Sequence, residues 1–166
     1  MAPDDPGVAG APDLPDPLPR FRIEHEPFAG FELVVLVDRG VYSAADPVRI
    51  TVTAANRGDR FAEHRYRGWQ RYHLSVRDHL HRVVADDVVD RPADQPMLDR
   101  WLPGQLLITP TYWDQTAGPI VPGWTGEAPG PRVEPGRYRV RATWLGREAG
   151  SRAELPDAWS PWFELV

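Results

Sequence analysis

Glu134-Pro135-Gly136-Arg137-Tyr138-Arg139-Val140-Arg141-Ala142-Thr143-Trp144 decides the fold class. A Pro-Gly turn opens the stretch, and then the residues alternate. Tyr138, Val140, Ala142 and Trp144 point one way; Arg137, Arg139, Arg141 and Thr143 point the other. Successive side chains of a strand face opposite sides, so this pattern places one face in a core and one in water. The same grammar occurs earlier, where Trp101-Leu102-Pro103-Gly104-Gln105 leads into a β-rich run ending Tyr112-Trp113-Asp114.

Working outward, further strands emerge. Phe31–Val37 is a nearly continuous apolar run of strand length. Pro47–Ala55 alternates, with Val48, Ile50, Val52 and Ala54 inward, and ends in the turn residues Asn56-Arg57-Gly58-Asp59. Arg71–Arg77 alternates again; Asp78-His79 turns the chain, so that Leu80–Ala85 pairs back as a hairpin. Residues 86–100 are acidic and broken by Pro92 and Pro96, and read mostly as loop. Gln105–Trp113 is a strand that contains Pro110. Proline has no N–H to give to a ladder, which assigns this strand to a sheet edge or a bulge. Residues 117–136 hold ten Gly and Pro, a long loop; Arg137–Leu145 and Trp159–Val166 complete the set. No segment keeps a 3.6-residue apolar period over three turns, and the crossover helices that parallel strands need are missing. The expectation is an all-β, antiparallel, Ig-like β-sandwich of about seven strands. Residues 1–27 precede it as a disordered tail rich in Pro and Asp, partly polyproline II, and 28–166 form the sandwich domain.

Composition bounds the function. Of the net charge of −5, residues 1–30 hold −4, from six acids against Arg20 and Arg22. The remainder is nearly neutral, which gives a general nucleic-acid binder no electrostatic basis. There is no cysteine, which excludes disulfides, zinc–thiolate sites and a thiol nucleophile. All 19 basic residues are Arg, read as a compositional bias. The acidic start lacks an apolar core for a secretory signal, and no run of about 18 apolar residues exists to span a membrane. A cytoplasmic protein without cofactor is expected.

Val48–Asn56 with Arg57-Gly58-Asp59, then Gly68-Trp69-Gln70-Arg71-Tyr72-His73-Leu74-Ser75-Val76-Arg77-Asp78, then Leu102-Pro103-Gly104-Gln105, Trp113-Asp114 and Pro135-Gly136-Arg137-Tyr138-Arg139-Val140-Arg141-Ala142 follow one another in a familiar order. The order resembles the intracellular proteinase inhibitor family of the BsuPI type, small Ig-like sandwich domains of bacteria, over about residues 41–145. The resemblance implies a regulator or inhibitor of an intracellular protease. The chain departs from the family in its middle. Where a Trp-containing hairpin is usual, it reads Leu80-His81-Arg82-Val83-Val84-Ala85-Asp86-Asp87-Val88-Val89-Asp90. The resemblance supplies no inhibitory residue set.

Candidate sites divide by chemistry. Ser43, Ser75, Ser151 and Ser160 are the only serines, and none lies in Gly-x-Ser-x-Gly, so no catalytic residue is assigned and the chain reads as a non-enzyme. His73, His79 and His81 cluster on the hairpin; with Asp78 or Asp86 they offer a remote metal-enzyme reading against the simpler one of solvent-facing histidines, and no metal ligand is assigned. Arg60 to Arg71 is a basic, aromatic run between strands. Arg, Tyr and Trp dominate protein-binding hot spots, which favours a protein partner there; the plain alternative is Trp69 or Tyr66 plugging the end of the sandwich. Trp124, within Pro122-Gly123-Trp124-Thr125-Gly126, either folds back or meets a partner. The binding set is therefore Arg67, Trp69, Arg71 and Trp124, in a non-catalytic module for another protein. A carbohydrate-binding module stacking sugars on exposed Trp is the competing class.

Overall fold

The computed structural model describes residues 30–44, 46–87, 96–120, 130–148 and 157–166. The tail read at 1–27 and Trp124 lie outside the described residues. The strands are β1 (Phe31–Val37), β2 (Val41–Tyr42), β3 (Val48–Asn56), β4 (Ala62–Tyr66), β5 (Tyr72–Asp78), β6 (Val83–Asp86), β7 (Met97–Trp101), β8 (Leu106–Trp113), β9 (Gly118–Pro119), β10 (Gly136–Trp144), β11 (Arg147–Glu148), β12 (Asp157–Trp159) and β13 (Phe163–Leu165). They form an Ig-like antiparallel β-sandwich. One sheet runs β1-β3-β8, and the facing sheet β2-β13-β10-β5-β6-β9, with β12 continuing beside β10. A third small sheet, β11-β4-β7, closes one end.

Alternation drives the assembly. β1 and β10 bury every second residue, so Leu33 and Val35 of one sheet meet Val140, Ala142 and Trp144 of the other in one core. Each fully buried Val or Leu contributes about 1.5–3 kcal/mol. Aromatic rings fill the two ends. Trp113 lies 6.0 Å from Tyr138 and 6.5 Å from Phe163, while Phe31 lies 4.8 Å from Trp144. Buried indoles need a partner for their N–H; Trp113 Nε1 donates to the Thr116 carbonyl at 2.8 Å.

Pro110 sits where its missing N–H requires. β8 pairs with β3 and is an edge of its sheet. The Asn56 N–H donates to the Gln105 carbonyl, so the odd-numbered residues of β8 bond inward and Pro110 belongs to the set facing off the edge.

The strand count of about seven needs correction. Ala62–Tyr66, read as part of a loop, is β4; Met97–Trp101, also read as loop, is β7, and the two pair over five residues. The hairpin partner of β5 is shorter than Leu80–Ala85. Asp78 Oδ1 accepts from the N–H groups of Leu80 and Arg82, and this turn holds residues 79–82, so pairing begins at Val83. The last strand, read as continuous from Trp159 to Val166, is interrupted. β12 pairs with Arg141–Thr143 and β13 with Gly136–Tyr138. In the gap, the Ser160 N–H donates to the Val140 carbonyl and the Ser160 hydroxyl accepts from the Val140 N–H, each at 2.8 Å.

Candidate functional site

The connection from β4 to β5 carries three of the four residues expected to bind. Tyr66 ends β4 with its ring buried, and Tyr72 opens β5. Between them the Leu145 N–H donates to the Arg71 carbonyl at 2.8 Å. The Arg71 guanidinium forks onto Asp99 of β7, Nε to Oδ2 at 2.6 Å and Nη2 to Oδ1 at 3.3 Å. The fork makes Arg71 a tether of the loop, with its side chain still 39% exposed. Arg67 is exposed, and Trp69 is 73% exposed. Of the two rings expected to compete as plug, Tyr66 takes that part and Trp69 stands in solvent. Phe61, at the other end of β4, is also exposed.

Beneath this loop lies a cluster that the sequence reading passed over. His64 of β4 is fully buried, 4.6 Å from Phe31 and 6.0 Å from Trp144, ring centre to ring centre. Its Nδ1 accepts from Trp144 Nε1 at 3.1 Å, which assigns the proton to Nε2. Burial pushes the His64 pKa down, against a smaller upward pull from Asp99. Burial also raises the pKa of Tyr66 well above the usual tyrosine value. Tyr66 Oη, Trp101 Nε1 and His64 Nε2 make no hydrogen bond of normal geometry, although the Trp101 indole N–H lies near enough to the Tyr66 hydroxyl to oppose that rise. The basic appearance of His64-Arg65-Tyr66-Arg67 hid a strand in which alternate residues face in.

A second surface was also unread. The arginines of β10 face outward, as expected, but two tryptophans intercalate among them. The Arg139 guanidinium lies 3.9 Å from the Trp159 ring centre and 4.6 Å from that of Trp162. Arg141 covers Trp159 at 5.4 Å, Arg137 covers Trp162 at 5.5 Å, and Arg77 of β5 approaches Trp159 at 5.9 Å. Arg141 Nε also donates to Asp157 at 2.6 Å. His81 meets both indoles edge-on, with its ring 6.3 Å from Trp159 and 6.2 Å from Trp162, and Nδ1 3.0 Å from Arg139 Nη2. The motif Trp159-Ser160-Pro161-Trp162 facing an Arg-x-Arg-x-Arg strand was its signal.

The three hairpin histidines do not converge. His73 faces Asp87 at 3.3 Å and Asp86 at 3.8 Å. His79 is exposed in the turn, and His81, with φ of 63°, meets the tryptophans edge-on. Among the described residues no group of three or more His, Asp or Glu is placed to hold a metal ion. Asp87 is pushed up to about 6 by burial, opposed by the Leu74 N–H and by His73. Asp78 is held low: burial acts to raise it, but the Arg82 guanidinium and the turn N–H groups outweigh that.

No family model matches the sequence, and no curated protein does. Among solved structures, the chain is similar to a β-glucosidase from Erythrobacter marinus, at 18% identity and a TM-score of 0.43 over 82% of this chain. The chain spans 15% of that enzyme's length. It is similar at the same TM-score to the CARDB domain of the PF1109 protein from Pyrococcus furiosus, at 13% identity, covering 86% of this chain and 94% of that one. A third likeness is to the alkylpurine DNA glycosylase AlkC of Pseudomonas fluorescens, at 11% identity and a TM-score of 0.41, over 84% of this chain and 31% of that one. Likeness at this level does not extend to a site or an activity.

Proposed function

We propose that the chain is a non-catalytic module that binds another protein through the β4–β5 loop, with Trp69 as the anchor and Arg67 beside it. The observation that carries this reading is the 73% exposure of Trp69 on a tethered base. A large aromatic left in water lowers no folding free energy. The loop below it is fastened by the Arg71–Asp99 fork and by buried Tyr66, so little ordering entropy opposes docking. Tryptophan and arginine in such a setting supply hot-spot energy. The resemblance to BsuPI-type inhibitors makes an intracellular protease the first partner to assay.

The test compares wild type with Trp69→Ala in a pull-down from bacterial lysate, followed by titration of each purified hit against both proteins. Truncation at a hot spot costs about 2 kcal/mol or more, roughly a 30-fold loss of affinity. Circular dichroism and thermal melting of Trp69→Ala should match wild type, because the ring packs on so little. A partner bound equally by both proteins removes the loop as the site. A protease inhibited by wild type and spared by Trp69→Ala would establish the inhibitor reading.

A further inference from the structure

Four arginines share the outer face of the sheet built on β10. Arg137, Arg139 and Arg141 are alternate residues of one strand, so they repeat at about 6.8 Å, twice the rise per residue. Arg77 of β5 stands directly opposite Arg139 in the antiparallel ladder. Like charges in opposed positions destabilise a sheet. The Trp159 ring offsets part of that cost, because the Arg139 and Arg77 guanidinium groups lie 3.9 and 5.9 Å from its centre. Carboxylates on this face do not balance the cations. Asp157 is taken by Arg141, and Glu164 lies beside Arg137 in the ladder without an ion pair. Among the described residues Arg77 and Arg137 also enter no ion pair.

We propose that this face binds an extended acidic segment of another protein, with carboxylates on alternate residues. Charge complementarity selects the face, and pitch selects the form of the ligand. Side chains two apart on an extended chain share one side at about 6.8 Å, the repeat of the arginines. One carboxylate then meets the rung of Arg77 and Arg139, and the next meets Arg137. The arginines are held ready for this. Arg139 lies between two indoles, at 3.9 and 4.6 Å, and Arg137 lies over Trp162 at 5.5 Å. A guanidinium stacked on a ring has lost rotamer freedom before the ligand arrives, while its N–H edge stays in the plane that a carboxylate needs. His81 pins the opposed pair, its carbonyl accepting from Arg77 Nη1 and its Nδ1 lying 3.0 Å from Arg139 Nη2. A guanidinium has five N–H donors, and Arg77 spends two of them, on His81 and on Ser75 Oγ. A nucleic-acid strand fits less well. Base stacking needs open ring faces, whereas three guanidinium groups already lie about Trp159 and two about Trp162. The net charge of −5 also opposes a long polyanion. The β4–β5 loop joins β5 at Tyr72, the end away from Arg77, so this surface stands apart from Trp69.

The test titrates the full-length, isotope-labelled protein with a synthetic peptide of alternating glutamate and threonine. NMR follows the indole N–H signals of Trp159 and Trp162. Saturable shifts are expected, with a Kd below about 1 mM. A peptide with as many glutamates, placed at every third residue, should bind at least about fivefold more weakly, because its carboxylates fall out of step with the arginines. Raising NaCl from about 20 to 200 mM should weaken the alternating peptide by at least about threefold. Arg137→Gln, at an exposed position, and Arg77→Gln should each lower its affinity by at least about fivefold with thermal melts like wild type. Arg49→Gln, exposed on β3 of the other sheet, should change it by less than about twofold. Absence of indole shifts, equal affinity for the two peptides, or an equal loss with Arg49→Gln would overturn the proposal. So would tighter binding of a thymidine oligonucleotide at the same indoles, which would make the face a nucleic-acid surface. Trp69→Ala should bind the peptide as wild type does; a loss there would remove this face as the site, whatever becomes of the loop's own partner.

Discussion

Ser160→Ala should destabilise the sandwich by about 2 kcal/mol, although it removes a single oxygen atom. β10 is paired to β12 up to Arg141 and to β13 from Tyr138, and the gap between leaves the Val140 N–H without a ladder partner. The Ser160 hydroxyl fills it, accepting that N–H at 2.8 Å and donating to the Pro161 carbonyl at 2.9 Å. Val140 is fully buried, so no water can substitute. An orphaned buried donor costs about 1–3 kcal/mol, and the second, partly exposed bond adds less than 1 kcal/mol. With a urea m-value of about 2 kcal/mol/M, the midpoint should fall by roughly 1 M at unchanged slope. Amide exchange supplies the local readout, because the Val140 N–H should exchange faster than its neighbours Val76 and Ala142 allow. A midpoint shift under about 0.25 M, with Val140 still protected, would refute the reasoning. It would mean that the backbone closes the gap without the hydroxyl.

Three further outcomes are expected. Burial lowers the folded-state pKa of His64 below the ordinary 6.5, so its contribution is fully present above pH 6.5. As pH falls below 6.5 the unfolded chain takes up a proton that the folded chain refuses, and stability drops by up to about 1.4 kcal/mol per pH unit. His64→Gln, which keeps an acceptor for Trp144, should flatten this slope in urea titrations between pH 7 and 5. Asp87, raised to about 6, acts with opposite sign but equally in both proteins, so the difference isolates His64. Gly146→Ala should cost about 1–3 kcal/mol by thermal melting, since a Cβ there would stand 2.6 Å from Tyr66 Cε1 and 2.7 Å from Trp144 Nε1, both on buried rings. Arg139→Lys keeps the charge but loses the planar stack between two indoles and should cost about 1 kcal/mol, whereas Arg137→Lys, at an exposed position, should cost less than 0.5 kcal/mol in the same assay.

The sandwich was legible wherever apolar residues alternated or ran continuously over the length of a strand. β1, β3, β5, β8 and β10 meet that condition, and their bounds differ from expectation by a residue or so. Pro110 even indicated which strand is an edge. β4 and β7 failed the same test because their inward residues include His64 and Asp99, which hydropathy reads as polar. A buried histidine is intelligible only once the Trp144 indole is seen to donate to it, and those two residues are 80 apart in sequence. The site was legible in half measure for the same reason. Arg67, Trp69 and Arg71 read alike as loop cations and aromatics, yet Asp99 takes Arg71 into the scaffold and leaves the other two outside.

The tryptophans at 159 and 162 show how one local feature reassigns a whole face. An unbroken strand from Trp159 to Leu165 would put Trp159, Pro161, Phe163 and Leu165 on one side, hence Trp159 in the core, and would send Trp162 to the other side. The structure places both indoles outside and Phe163 inside. Two residues three apart cannot share a face of a regular strand, so the chain must break between them. Ser160 and Pro161 make that break, with a hydroxyl standing in for the missing ladder bond and a residue that has no N–H to leave unpaired. The break therefore creates the arginine–tryptophan face. Arginine, and not lysine, is what such a face requires, because only a planar guanidinium stacks between two indoles. A chain whose basic residues are all arginine could build it without any special substitution. A compositional bias thus supplies the guanidinium groups from which this face is built.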